Sequence, residues 1–309
     1  MTETPVVTIQ CLVYNHEPYL RQCLDGFVMQ KTNFPYEAIV HDDCSTDQSA
    51  AIIREYAEKY PDIIKPIYES ENQYSKKDGR LIEIMNEHTR GRYVAFCEGD
   101  DYWTDPYKLQ KQVDILEKNK NVMLVYTDYE TIDYAGNKII RPYYEKLKKE
   151  STSGDLLPKL ILKNYPLTLT TCYRREVLLS KLYQDCELKY DYTTTLTAAM
   201  LGDLYYLPES TGKYRMTPNG MIVSRKEELN KDLRRILRYF IEEILNGQGK
   251  ERKCLTNLHI RFNIIRAMLY ERATLSELLK KYKFLRILLP FVVINECMYR
   301  IKHKFFSIC

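Results

Sequence analysis

Two pairs of adjacent carboxylates are the residues of this sequence best suited to chemistry. Asp42-Asp43 and Asp100-Asp101 each follow a short apolar run. Adjacent carboxylates in such a place can bind a divalent cation, share a proton as an acid/base pair, or cap the next helix. Gly99 precedes the second pair and allows a close ligand approach or an unusual backbone angle. Since proteins typically hold Mg²⁺ with one or two carboxylates and substrate phosphates, the second pair favours a metal bound to a phosphorylated ligand.

The elements that must position these pairs alternate between apolar strands and amphipathic helices. In the first helix, Leu20, Cys23 and Leu24 share one face with Phe27. Such alternation is typical of βαβ units in a mostly parallel, doubly wound sheet, which binds ligands beyond the carboxyl ends of its strands. Both acidic pairs are therefore expected on one rim of the sheet. The predicted strands are 6–13, 37–41, 62–68 and 93–97.

Local signals place the starts of two further helices. Ser45 or Thr46 is predicted to cap a helix that runs to about Tyr60, and Pro106 is predicted near the first turn of another. From about Lys226 onward only helix is predicted, so a boundary between a body and a tail is expected there. Between these regions the pattern predicts strands at 123–129, 167–173 and 203–207 and helices at 174–182 and 190–201.

Composition limits the class of protein. The 309 residues are 28% charged and 45% hydrophobic, which is ordinary for a globular chain and argues against disorder. The net charge of +4 is uneven: residues 222–309 carry 19 Lys and Arg against 9 Asp and Glu, and the remainder carries 27 against 33. Nine cysteines without paired spacing suggest neither a zinc site nor disulfides. With no export signal in Met1–Pro5, a cytosolic protein is expected.

Three segments together resemble the family 2 glycosyltransferases, which have the GT-A fold. They read TIQCLVYNHEPYLRQCLDGFVMQ, YEAIVHDDCSTDQS and GRYVAFCEGDDYWTDPYKLQKQV. Tyr14-Asn15 matches the family's Tyr-Asn, and residues 41–47 match its Val-Asp-Asp-x-Ser-x-Asp with His41 in place of Val. Gly91 to Asp101 matches its metal-binding motif. The resemblance covers about residues 6–214, and the order and spacing of the three motifs make it specific.

The resemblance implies a fold and a division of the chain. The fold is an α/β, GT-A-type, Rossmann-like doubly wound mixed sheet with an α-helical C-terminal tail. Residues 1–220 would form the glycosyltransferase domain, with a nucleotide-sugar half at 1–128 and an acceptor half at 129–220. Residues 221–309 would form the helical basic tail.

The resemblance also implies roles in donor binding. Asp43 would accept the N3–H of a uracil or thymine-like base, and Asp42 would support it or contact the ribose, with Tyr14 and Asn15 beside the nucleotide. Asp101 would ligate Mn²⁺ or Mg²⁺ on the diphosphate of the nucleotide-sugar donor, and Asp100 would contact the ribose or the same metal. Arg80 stands where the family often has a basic residue near the diphosphate.

For the acceptor, the resemblance implies that Asp191 is the general base. A sugar hydroxyl is a poor nucleophile near neutral pH, so the reaction needs a base, and a single displacement inverts the anomeric carbon. From the residues alone, a helix N-cap is the favoured interpretation of Asp191. The family's Tyr-Arg-x-His reads Tyr214-Arg215-Met216-Thr217 here, so Thr217 replaces a histidine that helps to bind metal or phosphate. The Gln-x-x-Arg-Trp motif of processive members is absent, which favours transfer of a single sugar.

The tail contains an apolar stretch with basic flanks at residues 283–304. Its longest uncharged run, Ile287–Asn295, has 9 residues, whereas a membrane-spanning helix needs about 20. An interfacial helix on an anionic membrane surface is one interpretation, and a helix packed on the body is the other. No nucleic-acid-binding motif accompanies the basic charge, so nucleic acid is not an expected partner.

The expected function is metal-dependent, inverting transfer of one sugar from a nucleotide-diphosphate sugar, with a UDP-sugar favoured. The acceptor would be a saccharide or lipid-linked saccharide in cell-surface polysaccharide synthesis, at the inner face of the cell membrane. A nucleotidyltransferase is a competing class, but no glycine-rich basic loop follows the first strand. A catalytically decayed, membrane-associated scaffold or nucleotide-sugar-binding protein is the non-enzymatic alternative, supported only by Thr217.

Overall fold

The computed structural model describes residues 4–161, 163–217 and 225–246. The chain divides into two compact units, Met1–Leu156 with Lys163–Lys226, and Leu157–Leu162 with Glu227–Cys309. The helices are α1 Glu17–Val28, α2 Ser49–Lys59, α3 Arg80–His88, α4 Lys108–Lys118, α5 Pro142–Glu150, α6 Leu157–Leu160, α7 Glu176–Leu179, α8 Lys181–Asp185, α9 Asp191–Leu201 and α10 Lys226–Asn246. The strands are β1 Val7–Val13, β2 Tyr36–Asp42, β3 Ile64–Tyr68, β4 Tyr93–Phe96, β5 Tyr102–Trp103, β6 Val122–Asp133, β7 Cys172–Arg174 and β8 Asp203–Met216.

One eight-stranded mixed sheet organises the first unit, in the order β3-β2-β1-β4-β7-β6-β8-β5. Strands β3, β2, β1 and β4 run parallel, with α1, α2 and α3 in the connections between them. Strand β7 runs antiparallel to both β4 and β6, and β6 pairs in parallel with the long, irregular β8. The predicted mixed α/β sheet is confirmed.

The core forms where the first helix packs against the sheet. Leu20, Cys23, Leu24 and Phe27 are all fully buried, as the helical spacing predicts. The Phe27 ring meets the ring of Trp103 edge-on, with 5.1 Å between centroids. The strand β1 beneath this helix is buried along nearly its whole length, because helices cover both faces of a doubly wound sheet.

The predicted cap of α2 is wrong. The helix begins at Ser49, and neither Ser45 nor Thr46 caps it. Both residues instead bond the loop after β1: the Asn15 N–H donates to Ser45 Oγ at 2.9 Å, and the Thr46 N–H donates to Asn15 Oδ1 at 2.8 Å. A contact distant in sequence thus replaces the local cap.

Three later predictions also need correction. Helix α4 begins at Lys108, beyond Pro106, because the Tyr107 N–H first bonds the Asp105 carboxylate in a turn. The predicted strand at 167–173 is a short 3₁₀ turn, Thr168–Thr170, followed by the three-residue strand β7. The predicted helix at 174–182 is broken at Ser180, whose extended backbone and side chain cap α8.

The second unit contributes α6 and α10. In α10, Ile236, Phe240, Ile241 and Ile244 are buried on one face, which gives the helix its amphipathic character. The predicted helical tail is therefore seen from 226 to 246, and the rest of it, with the segment at 283–304, lies outside the described residues. Among the helices that the structure describes, none combines the length and the apolar character needed to cross a bilayer.

Candidate active site

Both acidic pairs lie at the carboxyl end of β1. Strand β2 brings Asp42 opposite Val13, and the Asp43 N–H donates to the Val13 carbonyl at 2.9 Å. On the other side of β1, the Gly99 N–H donates to the Leu12 carbonyl at 3.1 Å. The structure therefore brings the two pairs to one edge of the sheet. This edge, with Asp42, Asp43, Glu98, Asp100 and Asp101, is called the acidic rim below.

Three carboxylates of the acidic rim form a compact group. Oxygens of Glu98, Asp100 and Asp101 all lie within 4.8 Å of one another. Burial, with the charges of Asp100 and Asp191, raises the pKa of Glu98 to about 8. Burial and the neighbouring carboxylates also hold the pKa of Asp101 well above its usual range. Such a group favours a divalent cation, which would offset its mutual repulsion, and its all-oxygen donor set suits Mg²⁺ or Mn²⁺.

Arg215 supports this group from strand β8. Its backbone N–H donates to Asp101 Oδ1 at 2.7 Å, and its Nε–H donates to the Asp100 carbonyl at 2.9 Å. The guanidinium also bonds Gln22 Oε1 and lies over the Tyr19 ring at 4.5 Å. A buried cation thereby fixes the backbone of the turn that carries both aspartates.

The glycine before Asp100 is explained by a protein contact. A Cβ atom on Gly99 would lie 2.7 Å from Nδ1 of His16, so any larger residue would collide with the imidazole. Burial lowers the pKa of His16 despite the charges of Asp100 and Asp47. The close approach that the glycine allows is therefore made by His16.

Asp43 is tightly bound by the loop after β3. Its Oδ1 accepts the Gln73 N–H at 2.6 Å, and its Oδ2 accepts the Tyr74 N–H at 3.0 Å. The helix-capping alternative for Asp43 is thus not what the structure shows. A carboxylate has about four lone-pair sites, so Asp43 retains the capacity to accept a further hydrogen bond.

Asp42 and the Tyr14-Asn15 loop complete this side of the acidic rim. Asp42 Oδ1 is buried and has no hydrogen-bond partner among the residues that the structure describes. Asn15 adopts a left-handed backbone, with φ of 56°, and its bonds to Ser45 and Thr46 tie the two loops together. Tyr14 is 47% exposed beside them. The roles of all three residues toward a nucleotide stay predictions.

Asp191 is the first residue of α9. Its Oδ1 accepts the Tyr192 N–H at 2.7 Å, and its Oδ2 accepts from Asn164 Nδ2 at 3.3 Å. The carboxylate is at the surface, but surrounding protein atoms displace enough water to raise its pKa. Its charge acts on Glu98, which places it within electrostatic reach of the acidic rim. Its role as a base stays a prediction, and so does that of Thr217, which follows β8.

Arg80 already has partners on its own helix. Its guanidinium donates to both carboxylate oxygens of Glu87, at 2.9 and 3.2 Å, and to Glu83. A contact with a diphosphate would require these exposed bonds to open. The role of Arg80 stays a prediction.

Comparison with known proteins decides the family. Residues 9–172 match the sequence model of glycosyl transferase family 2. The chain belongs to this family. The matched segment contains the acidic rim, most of β1 and all of strands β2 to β6, so the resemblance of the three motifs is confirmed.

Curated relatives of this family 2 member include longer proteins. An uncharacterised protein of Mycobacterium tuberculosis is 32% identical over 222 residues, which is 70% of this chain but 60% of the relative. The putative teichuronic acid biosynthesis glycosyltransferase TuaG of Bacillus subtilis is 26% identical over 220 residues, which is 70% of this chain and 81% of TuaG.

Solved structures show the same fold. TarS of S. aureus, crystallised with UDP-GlcNAc, has a TM-score of 0.59 at 20% identity, over 85% of this chain and 71% of that one. The mannosyltransferase PcManGT from Pyrobaculum calidifontis, in complex with GDP-Man and Mn²⁺, has a TM-score of 0.56 at 19% identity, over 93% and 81%. The predicted GT-A-like fold is confirmed.

Proposed function

We propose that this family 2 glycosyltransferase is metal-dependent and inverting, and that it moves one sugar from a nucleotide-diphosphate sugar to a saccharide acceptor. The observation that carries the proposal is the group of Glu98, Asp100 and Asp101 at the carboxyl end of β4, with Asp191 within electrostatic reach. Oxygen ligands for a metal and a carboxylate base are the two groups that such a displacement requires.

Asp101 and Asp100 would hold Mn²⁺ or Mg²⁺, and Glu98 adds a third oxygen ligand to the predicted pair. When bound, the ion would offset the negative charge that develops on the leaving diphosphate. Arg215 holds the backbone of this turn, so that the carboxylates are in position before the donor arrives. On the other side of β1, Asp43 and Asp42 would bind the base and the ribose.

Asp191 would take the proton from the attacking acceptor hydroxyl. Its raised pKa makes it a stronger base than an ordinary aspartate, which favours proton transfer near neutral pH. Asn164 and the Tyr192 N–H hold its two oxygens in place. One displacement from the face opposite the diphosphate inverts the anomeric carbon.

A UDP-sugar is the proposed donor and a saccharide or lipid-linked saccharide the proposed acceptor. TarS was crystallised with UDP-GlcNAc, and the name of TuaG places that protein in teichuronic acid biosynthesis. Because PcManGT is in complex with GDP-Man, a GDP-sugar is the competing donor. We place the reaction at the inner face of the cell membrane, with residues 1–220 as the catalytic domain and the basic tail of 221–309 against the anionic surface.

The test is a panel of UDP- and GDP-sugars, with release of the nucleoside diphosphate measured for the full chain with Mn²⁺ and with a chelator. We expect turnover of a UDP-sugar that the chelator abolishes. Asp191→Asn should bind UDP as the wild type does but lose transfer, because only the base is removed. Stabilisation by UDP and Mn²⁺ with no turnover of any donor would instead identify a nucleotide-sugar-binding protein.

A further inference from the structure

A chain of hydrogen bonds runs behind the acidic rim from strand β2 to Asp43. His41 Nε2 lies 3.2 Å from Glu69 Oε1, and Gln73 Nε2 donates to the other oxygen of Glu69 at 3.0 Å. The backbone N–H of that same Gln73 then donates to Asp43 Oδ1 at 2.6 Å. Four residues from two loops and one strand therefore form a single connected network that ends on the Asp43 carboxylate.

His41 is the inner end of this network and is unusual at its position. Its side chain is fully buried, at 0% exposure, where the family motif has an apolar valine. Because an ionised carboxylate only accepts hydrogen bonds, Nε2 is the donor in the contact with Glu69. Nδ1 then has no partner among the described residues, so the bond to Glu69 is the one polar contact found for this buried ring.

Glu69 connects His41 to the loop that carries Gln73 and Tyr74. Its backbone N–H donates to the Asp42 carbonyl at 3.0 Å, which fixes the start of the loop against the end of β2. The Glu69 side chain is only 17% exposed. Asn72 Nδ2 donates to the Asp43 carbonyl at 3.0 Å, so the loop grips Asp43 by its backbone as well as by its carboxylate.

A carboxylate on strand β2 that lies away from the acidic rim has a purely structural role. Glu37 lies at the opposite end of β2, is 2% exposed, and bonds Thr8 Oγ1 at 2.9 Å and the Arg90 guanidinium. None of these contacts reaches the acidic rim. Glu37 therefore offers a control carboxylate that has the same charge as Glu69 and also bonds neighbouring side chains, but lies away from the acidic rim.

We propose that His41 and Glu69 are positioning residues for nucleotide binding. Acting through Gln73, they fix the orientation of Asp43 and leave one defined edge of its carboxylate for the base of the donor. This inference rests on the proposed role of Asp43 in base binding. It also accounts for a histidine at a position where the family motif needs only an apolar residue.

The experiment compares His41→Val, Glu69→Ala, Glu69→Gln and Glu37→Gln in the full chain. Hydrogen exchange at the Gln73 and Tyr74 amides reports the strength of their hydrogen bonds to Asp43 in the absence of any ligand. Calorimetric titration with UDP in the presence of Mn²⁺, with GDP in parallel, reports binding. We expect His41→Val and Glu69→Ala to speed exchange at both amides and to raise the UDP dissociation constant about tenfold.

Glu69→Gln keeps an oxygen acceptor for Gln73, so its effects should fall between those of Glu69→Ala and the wild type. Glu37→Gln should change neither readout. Faster amide exchange with an unchanged UDP dissociation constant would overturn the inference, and so would an equal loss of binding in Glu37→Gln. If His41→Val fails to fold, the two variants of the partly exposed Glu69 decide the question alone.

Asp43→Asn in the same titration separates this inference from the proposed function. If Asp43→Asn binds UDP like the wild type, the base-binding role of Asp43 is wrong and both proposals about the nucleotide fail. If Asp43→Asn weakens binding and the His41 and Glu69 variants do not, only the positioning role fails. A wild type that binds neither UDP nor GDP would overturn both.

Discussion

At the scale of single residues, the three clustered carboxylates of the acidic rim repel one another. Glu98, Asp100 and Asp101 are close together and Asp101 is buried, and burial with the neighbouring charges raises the pKa of Glu98 to about 8. Near neutral pH the metal-free group therefore retains a proton that a bound cation must displace. Arg215 moderates this repulsion but does not touch the carboxylate oxygens of Asp101 except through its backbone N–H.

Metal binding should consequently depend on pH. Since the cation binds the deprotonated carboxylates, we expect Mn²⁺ affinity to rise as the pH increases from about 6 toward the Glu98 pKa of about 8, with release of a proton. Calorimetry in buffers of different ionisation enthalpy measures both quantities. Glu98→Gln should flatten the dependence, and an affinity that is independent of pH would contradict the coupling.

The sequence predicts only part of this site. The sequence is enough to identify the pairs Asp42-Asp43 and Asp100-Asp101, because each pair follows an apolar strand. Glu98 precedes the pair Asp100-Asp101, and no spacing in the sequence distinguishes it. Nothing in the local sequence indicates that Arg215 bonds Asp101, which lies 114 residues away. The pairing of β8 beside β6 decides that contact, so it is visible only once the sheet is assembled.

At the scale of elements, β1 and β4 set the positions of both acidic pairs through their register. Gly91 precedes β4 at a place where the two backbones nearly touch: a Cβ there would lie 2.4 Å from the Thr8 nitrogen. The Gly91 N–H also donates to Thr8 Oγ1 at 2.8 Å. The strands can approach this closely only because residue 91 has no side chain.

Gly91→Ala should therefore destabilise the fold. The neighbouring atoms are backbone and cannot move aside cheaply, so we expect a loss of about 1–3 kcal/mol or more in the free energy of unfolding. Urea denaturation measures it, with Ser70→Ala at an exposed position as the control. Equal stability of the two variants would show that β1 and β4 are not packed as described.

The elements themselves were predictable where their signals are local. The first four strands were predicted within two residues because each is a short apolar run between polar breaks. The prediction of the α2 cap was wrong because Asn15 forms hydrogen bonds with Ser45 and Thr46, which lie 30 and 31 residues away in the sequence. The prediction of one continuous helix at 174–182 was wrong because the backbone of Ser180 is extended. Tertiary contacts thus override local propensity at these positions.

At the scale of the whole molecule, charge is divided along the sequence. Residues 222–309 hold 19 Lys and Arg against 9 Asp and Glu, and the remaining residues hold 27 against 33. We propose that this basic segment binds an anionic membrane surface, where each basic residue near the surface would contribute about 1 kcal/mol.

The membrane proposal predicts that the full chain sediments with anionic liposomes. A chain that ends at Tyr282 should bind them less, and neutral phosphatidylcholine vesicles should retain little of either. Added salt should weaken binding because it screens the exposed charges. Equal sedimentation of the full and shortened chains would remove the segment at 283–304 from the proposal.

If the acidic rim performs metal-dependent sugar transfer, the Asp101→Asn variant should lose that activity. The asparagine keeps an oxygen for the Arg215 N–H but loses the charge that would hold the metal. Measured as Mn²⁺-dependent release of nucleoside diphosphate from the donor, turnover should fall about 100-fold or more while the thermal unfolding temperature does not fall. The exposed Asp114→Asn variant should retain full turnover. Full turnover in a folded Asp101→Asn variant would show that the acidic rim does not hold the metal for sugar transfer.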